Sequence, residues 1–91
     1  MLSKRIHELR TAMGWSQVEL AKRLQISKQT VSNWENDNIQ PSIDMLVRIS
    51  RLFGVTTDYL LGLDDIPRLD VGGLSPSAVG HLSLLIQDLQ K

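Results

Sequence analysis

Within residues 16–36, SQVELAKRLQISKQTVSNWEN, four hydrogen-bonding side chains stand close together: Lys28, Gln29, Ser32 and Asn33. The stretch reads as two short helices joined by a tight turn. The exposed N-terminal turn of the second would present that row outward, where it has the size and chemistry to enter a DNA major groove. Elsewhere, chemistry-bearing residues are sparse. The absence of cysteine excludes disulfides, thiolate metal sites and thiol nucleophiles. His7 and His81 have no second histidine, cysteine or carboxylate at metal-ligand spacing and read as surface residues. Serine, histidine and aspartate all occur, but nothing around them resembles an activated nucleophile. The sequence therefore predicts no catalytic residue, no metal and no cofactor, and the chain reads as a non-enzyme.

The elements that must hold this row are helical, because apolar residues recur at helical spacing and proline is confined to positions 41, 67 and 76. Leu2, Ile6, Leu9 and Met13 form one face of a first helix stopped by Gly14. Ser16, with Glu19 three residues on, is a capping box that opens a second helix burying Leu20, Ala21 and Leu24. Ser27 caps a third, which buries Val31 and Trp34. Pro41-Ser42 opens a fourth with Ile43, Leu46, Ile49, Leu52 and Phe53 on its buried side, and Gly54 ends it. Thr56 or Thr57 caps a single short helix, DYLL, closed by Gly62.

An all-α architecture follows: a five-helix domain over residues 1–62, a linker over 63–74 and a C-terminal helix over 75–91. In that last helix, Val79, Leu82, Ile86 and Leu89 repeat at three, four and three, and Leu85 widens the stripe. Ser75-Pro76 is an N-cap followed by proline at the first helical position.

The formal net charge is zero, but the charge is unevenly placed. Residues 1–28 hold six Lys and Arg against two Glu, whereas residues 63–91 hold two cations against four Asp. A basic front half can leave an electrostatic footprint for a polyanion on a neutral protein. No run approaches the roughly 20 apolar residues that span a bilayer, and the N-terminus has no apolar signal core. The chain reads as soluble and cytoplasmic, with no membrane partner.

The motif has steric demands that these residues meet. Two closely crossing helices need a small residue on the first, here Ala21. The turn needs a residue that tolerates a left-handed backbone and then a buried anchor, here Gln25 and Ile26. Val31 supplies the apolar contact of the second helix. With RIHELR, WSQVELAKRL, ISKQTVSNWE, PSIDMLVRIS and FGVTTDYLLG in this order, residues 3 to 62 resemble the Cro/repressor-type (XRE-like) helix-turn-helix family.

The resemblance implies a DNA-binding regulator with double-stranded DNA as partner. It implies that Lys28, Gln29, Ser32 and Asn33 are base-edge readers, lysine suiting guanine and the amides adenine. Gln17 would contact a phosphate, with Ser27, Thr30 and Asn36 as further backbone contacts. Arg10 and Glu35 match the positions that form an ion pair in the family, with the role of holding the recognition helix in register. Two departures stand out. Gln25 replaces the glycine usual in the turn, and Asp37-Asn38 replaces a glycine after the recognition helix, placing an anion where a phosphate would approach.

Val79, Leu82, Leu85, Ile86 and Leu89 suit dimerisation, though the same stripe could pack on its own domain. A homodimeric repressor on a palindromic operator is the expected function. The alternatives are an antitoxin whose C-terminal segment binds a toxin partner, and a helical module whose motif face binds protein rather than DNA.

Overall fold

The computed structural model describes residues 1–66, 68 and 71–90. Pro67, Leu69 and Asp70 of the expected linker, and Lys91, lie outside the described residues. Six helices and no strands occur among the described residues. They are α1 (Leu2–Ala12), α2 (Gln17–Leu24), α3 (Lys28–Glu35), α4 (Ile43–Phe53), α5 (Thr57–Leu60) and α6 (Pro76–Leu89).

Hydroxyl caps decide where the helices begin. Ser16, Ser27, Ser42, Thr56 and Ser75 each accept a hydrogen bond from the backbone N–H three residues on, which satisfies one of the orphan donors of the first turn. The Glu19 carboxylate does not reach back across its cap; it lies 3.1 Å from Arg23 on the next turn.

The first five helices also end alike. After α2, Ile26 N–H bonds the Ala21 carbonyl at 2.9 Å and Gln25 N–H bonds that of Lys22 at 3.2 Å. This paired closure needs one left-handed residue at its centre. The same pair of bonds recurs after α1, α3, α4 and α5, around Gly14, Asp37, Gly54 and Gly62. Three centres are glycine, but Gln25 and Asp37 both adopt φ 58° with a side chain in place. The two positions where the sequence departs from the family's glycine are thus the two that carry left-handed strain.

Ile6, Leu20, Ala21, Leu24, Val31, Trp34, Ile49, Phe53, Val55 and Leu60 form the core. Trp15 closes one side, its ring stacked on Phe53 at 5.7 Å between centroids, with the Arg23 guanidinium 4.1 Å from the indole centroid. Arg48 donates to the Leu24 carbonyl at 2.6 Å, tying α4 to the end of α2.

Two residues expected on buried faces are exposed. Ile43, 81 % exposed, is the first residue of α4 and precedes the turn that meets the core, where Met45 and Leu46 take over. Met13 lies just beyond α1 and is likewise exposed.

Arg5 anchors the chain beyond α5. It is buried over the Tyr59 ring at 3.9 Å and donates to the Tyr59 carbonyl (2.8 Å), the Asp64 carbonyl (3.1 Å) and the Asp65 carboxylate (3.0 Å). After that anchor the chain leaves the core. None of the residues of α6 is buried. The radius of gyration, 14.4 Å, exceeds the roughly 12 Å of a compact chain of this length, as a helix standing off its domain requires.

Candidate nucleic-acid interface

The interface is built on the α2–α3 pair. Ala21 and Val31 are buried between these helices, and Trp34 fixes the far end of α3 in the core. With Val31 and Trp34 turned inward, the polar residues of α3 must face outward. Lys28 and Gln29 are exposed, and Ser32 and Asn33 are partly so. Gln29 Nε2 donates to Asn33 Oδ1 at 3.2 Å, so the two amides sit side by side on consecutive turns.

Asn36 Nδ2 donates to Ser32 Oγ at 3.3 Å and continues the polar edge past the helix end. Ser27 Oγ caps α3 by accepting the Thr30 N–H and lies 2.8 Å from the Thr30 hydroxyl, which supports that cap. Asp37 is exposed just beyond.

A buried charge cluster holds the back of this surface. Arg10 Nε and Nη2 donate to the two carboxylate oxygens of Glu35 at 2.7 and 2.9 Å, and Nη1 donates to the Trp15 carbonyl at 2.8 Å. The two side chains are only 11 % and 4 % exposed. His7 Nδ1 lies 2.9 Å from Glu35 Oε1, and Gln17 Nε2 donates to the same oxygen at 3.3 Å. Burial alone would push the Glu35 carboxyl up. Hydrogen bonds from Arg10, His7 and Gln17, with the Arg10 charge, outweigh it and hold that group below its ordinary value. The Arg10 guanidinium is raised, chiefly by its hydrogen bond to Glu35 and against the effect of burial.

Through Glu35, residues from α1, α2 and α3 meet at one carboxylate. The structure therefore brings together Lys28, Gln29, Ser32, Asn33 and Asn36 on one edge, and joins Gln17 to it through the Arg10–Glu35 cluster. It keeps Val79, Leu82, Leu85, Ile86 and Leu89 apart, on α6. His7 lies on the surface as expected, its side chain 55 % exposed, but sequence reasoning missed that it is also a partner of Glu35; its place three residues before Arg10, on the same side of α1, was the available signal. Arg5, outside this interface, left no such signal, because its partners lie more than fifty residues away.

Comparison with known proteins fits this geometry. A model of the helix-turn-helix family matches residues 6–60. The chain is 42 % identical over 67 residues to the HTH-type transcriptional regulator ImmR of Bacillus subtilis, covering 74 % of this chain and 53 % of that protein. It thus spans about half the length of that relative.

Among solved structures, the biofilm regulator SinR in complex with DNA has a TM-score of 0.62 and 32 % identity, over 67 % of this chain and 98 % of that one. A SinR–SinI protein complex has a TM-score of 0.65 and 25 % identity, over 100 % and 80 % respectively. Relatives of this kind are transcriptional regulators, not enzymes. No helix among the described residues is long and apolar enough to cross a membrane. The chain belongs to the Cro/repressor-type helix-turn-helix family, whose family model spans residues 6–60.

Proposed function

We propose that the protein is a sequence-specific repressor that binds a palindromic operator as a homodimer. The observation that carries this reading is the outward edge of α3: Lys28, Gln29, Ser32 and Asn33 stay accessible while Val31 and Trp34 anchor the helix. The four residues read base edges; Gln17, Ser27, Thr30 and Asn36 position the domain on the backbone. Ser27 does so from the N-cap of α3, with Thr30 beside it, their hydroxyls 2.8 Å apart.

Pairing of two copies falls to residues 75–91. Leu84, Leu85, Ile86 and Leu89 are each more than half exposed. An apolar groove of about 630 Å³ separates α6 from Leu9, Met13, Phe53 and Val55. An accessible apolar surface of this kind marks an interaction site. Its occupant is α6 of a second copy. From Ser75 to Gln87 the segment carries no Asp, Glu, Lys or Arg, so two copies meet without like-charge repulsion, and a charged partner finds no complement there.

Selection of bound fragments from a random DNA pool tests the reading. It should recover inverted repeats whose half-sites lie about 34 Å, or a multiple of that, apart. Recovery of single, unrepeated sites would overturn the dimeric operator, and no enrichment would overturn sequence-specific binding. Deletion of residues 75–91 should leave the first domain folded and shift sedimentation toward the monomer. An unchanged profile would remove α6 from the dimer. An undeleted 91-residue chain that sediments as a monomer would favour the second reading, in which the α6 face takes a different protein.

A further inference from the structure

A second feature adjoins the recognition edge. Between α1 and the α2–α3 pair lies an open polar groove of about 440 Å³, lined by Ser3, Lys4, His7, Gln17, Glu35 and Asn36. Gln17 and Asn36 are two of the four residues through which the DNA reading positions the backbone. The groove is therefore continuous with the surface a duplex would occupy. Its two basic side chains, Lys4 and His7, come from α1, outside the helix-turn-helix. We propose that this groove seats a duplex-DNA backbone phosphate, with Lys4 and protonated His7 completing the contact begun by Gln17 and Asn36, so that DNA binding takes up a proton. The inference rests on the DNA-binding reading and adds to it a site and a proton linkage.

An anion can approach this groove although Glu35 lines it. The Glu35 side chain is 4 % exposed and its charge is matched by bidentate Arg10, so little of it faces the solvent. Lys4 is available as well. Its ammonium lies 3.9 Å from Glu8, with the two side chains 75 % and 54 % exposed, a pairing weak enough to yield to a phosphate.

The proton linkage follows from the tautomer of His7. Glu35 is ionised and can only accept, so the 2.9 Å contact requires hydrogen on His7 Nδ1. With hydrogen on Nδ1 that nitrogen has no lone pair to offer, so Arg10 Nη2, 3.2 Å away, is a close neighbour rather than a donor to His7. With hydrogen on Nδ1, the neutral ring leaves Nε2 with a lone pair, which repels a phosphate oxygen. Protonation gives both nitrogens hydrogen, one for Glu35 and one for the phosphate. The charged groups around His7 are Glu35 from α3 and Arg10 and Lys4 from α1, while α2 contributes the neutral Gln17. A phosphate seated against Nε2 favours the imidazolium over the neutral ring, because an anion stabilises the charged form.

The test is fluorescence anisotropy of the intact protein on a labelled mixed-sequence duplex, because backbone contacts do not depend on sequence. Lys4→Ala should flatten the dependence of log K on log[salt] by about 0.9, the contribution of one neutralised phosphate. Wild-type affinity should rise by up to about tenfold per pH unit as pH falls from 8 toward 6, the limit for one linked proton. His7→Gln should abolish that rise. His7→Lys, with a permanent charge, should bind at pH 8 about as tightly as wild type at pH 6, and His81→Gln should behave as wild type. A salt slope unchanged by Lys4→Ala, or a pH dependence that survives His7→Gln or disappears with His81→Gln, would overturn the inference. Failure of the wild type to bind any duplex would instead overturn the DNA reading itself. Circular dichroism at both pH values separates loss of fold from loss of contact.

Discussion

Replacing Arg10 by alanine should destabilise the domain by about 3 kcal/mol, the low end of the range for removing one partner of a buried pair. The substitution removes two charge-assisted hydrogen bonds to Glu35, at 2.7 and 2.9 Å, and one to the Trp15 carbonyl at 2.8 Å. It leaves a carboxylate on a side chain that is 4 % exposed. The low end applies because His7 and Gln17 still contact Glu35 Oε1, at 2.9 and 3.3 Å.

For a domain of this size, about 3 kcal/mol corresponds to a drop in Tm of roughly 12–24 °C. Thermal and urea denaturation followed by circular dichroism would measure it. A double-mutant cycle with Glu35→Gln would isolate the coupling, expected at about 2 kcal/mol or more. The pH dependence has a definite sign. Glu35 is held below its ordinary 4.5, so its stabilising contribution is complete above that value and is lost as pH falls through the depressed folded one. The advantage of wild type over Arg10→Ala should be largest near neutrality and shrink on acidification. A loss under about 1 kcal/mol, the size of an exposed pair, or a gap indifferent to acid, would refute the reasoning.

Gln25→Gly should stabilise the protein by about 0.5 kcal/mol, since relief of left-handed strain at φ 58° is partly offset by the greater freedom of glycine in the unfolded chain; a lower urea midpoint at unchanged m-value would contradict it. Arg5→Lys should not substitute for the guanidinium that bridges the Tyr59 and Asp64 carbonyls and the Asp65 carboxylate. A cost of about 1–3 kcal/mol and faster hydrogen exchange over residues 57–65 are expected, and wild-type exchange there would count against the anchor. Gln29→Ala should cost about 1–3 kcal/mol on the preferred site and relax one base position, whereas Gln17→Ala should weaken all sequences alike. Binding selections on both variants distinguish the roles, and a changed consensus for Gln17→Ala would remove it from the backbone set.

Much of the DNA-binding domain was legible because its signals are local. A hydroxyl before a helix caps a donor three residues away, and a left-handed residue closes a turn within six residues. Ser16, Ser27, Ser42 and Ser75 therefore announce their helices, and Gln25 and Asp37 stand out where glycine would be easier. Periodicity placed Val31 and Trp34 inward, and from that the exposure of Lys28 and Gln29 follows. Ile43 and Met13 show the limit of that rule. Spacing says which side of a helix is apolar, not how far along its length the rest of the protein covers it.

The contacts between distant segments were decided by the tertiary structure. Arg5 reaches the far end of the domain, and His7 and Gln17 converge with Arg10 on Glu35, because packing brings α1, α2 and α3 to one point that no local rule names. The same holds for α6. Its stripe of Val79, Leu82, Leu85, Ile86 and Leu89 is plain in the sequence, but apolar spacing is equally compatible with an intramolecular and an intermolecular neighbour. Only the fold reveals that its own domain leaves this helix unburied. Local hydrogen bonding and side-chain periodicity thus determined the helices and the polar edge of α3, while long-range packing decided the charge cluster behind that edge and the apolar surface left over.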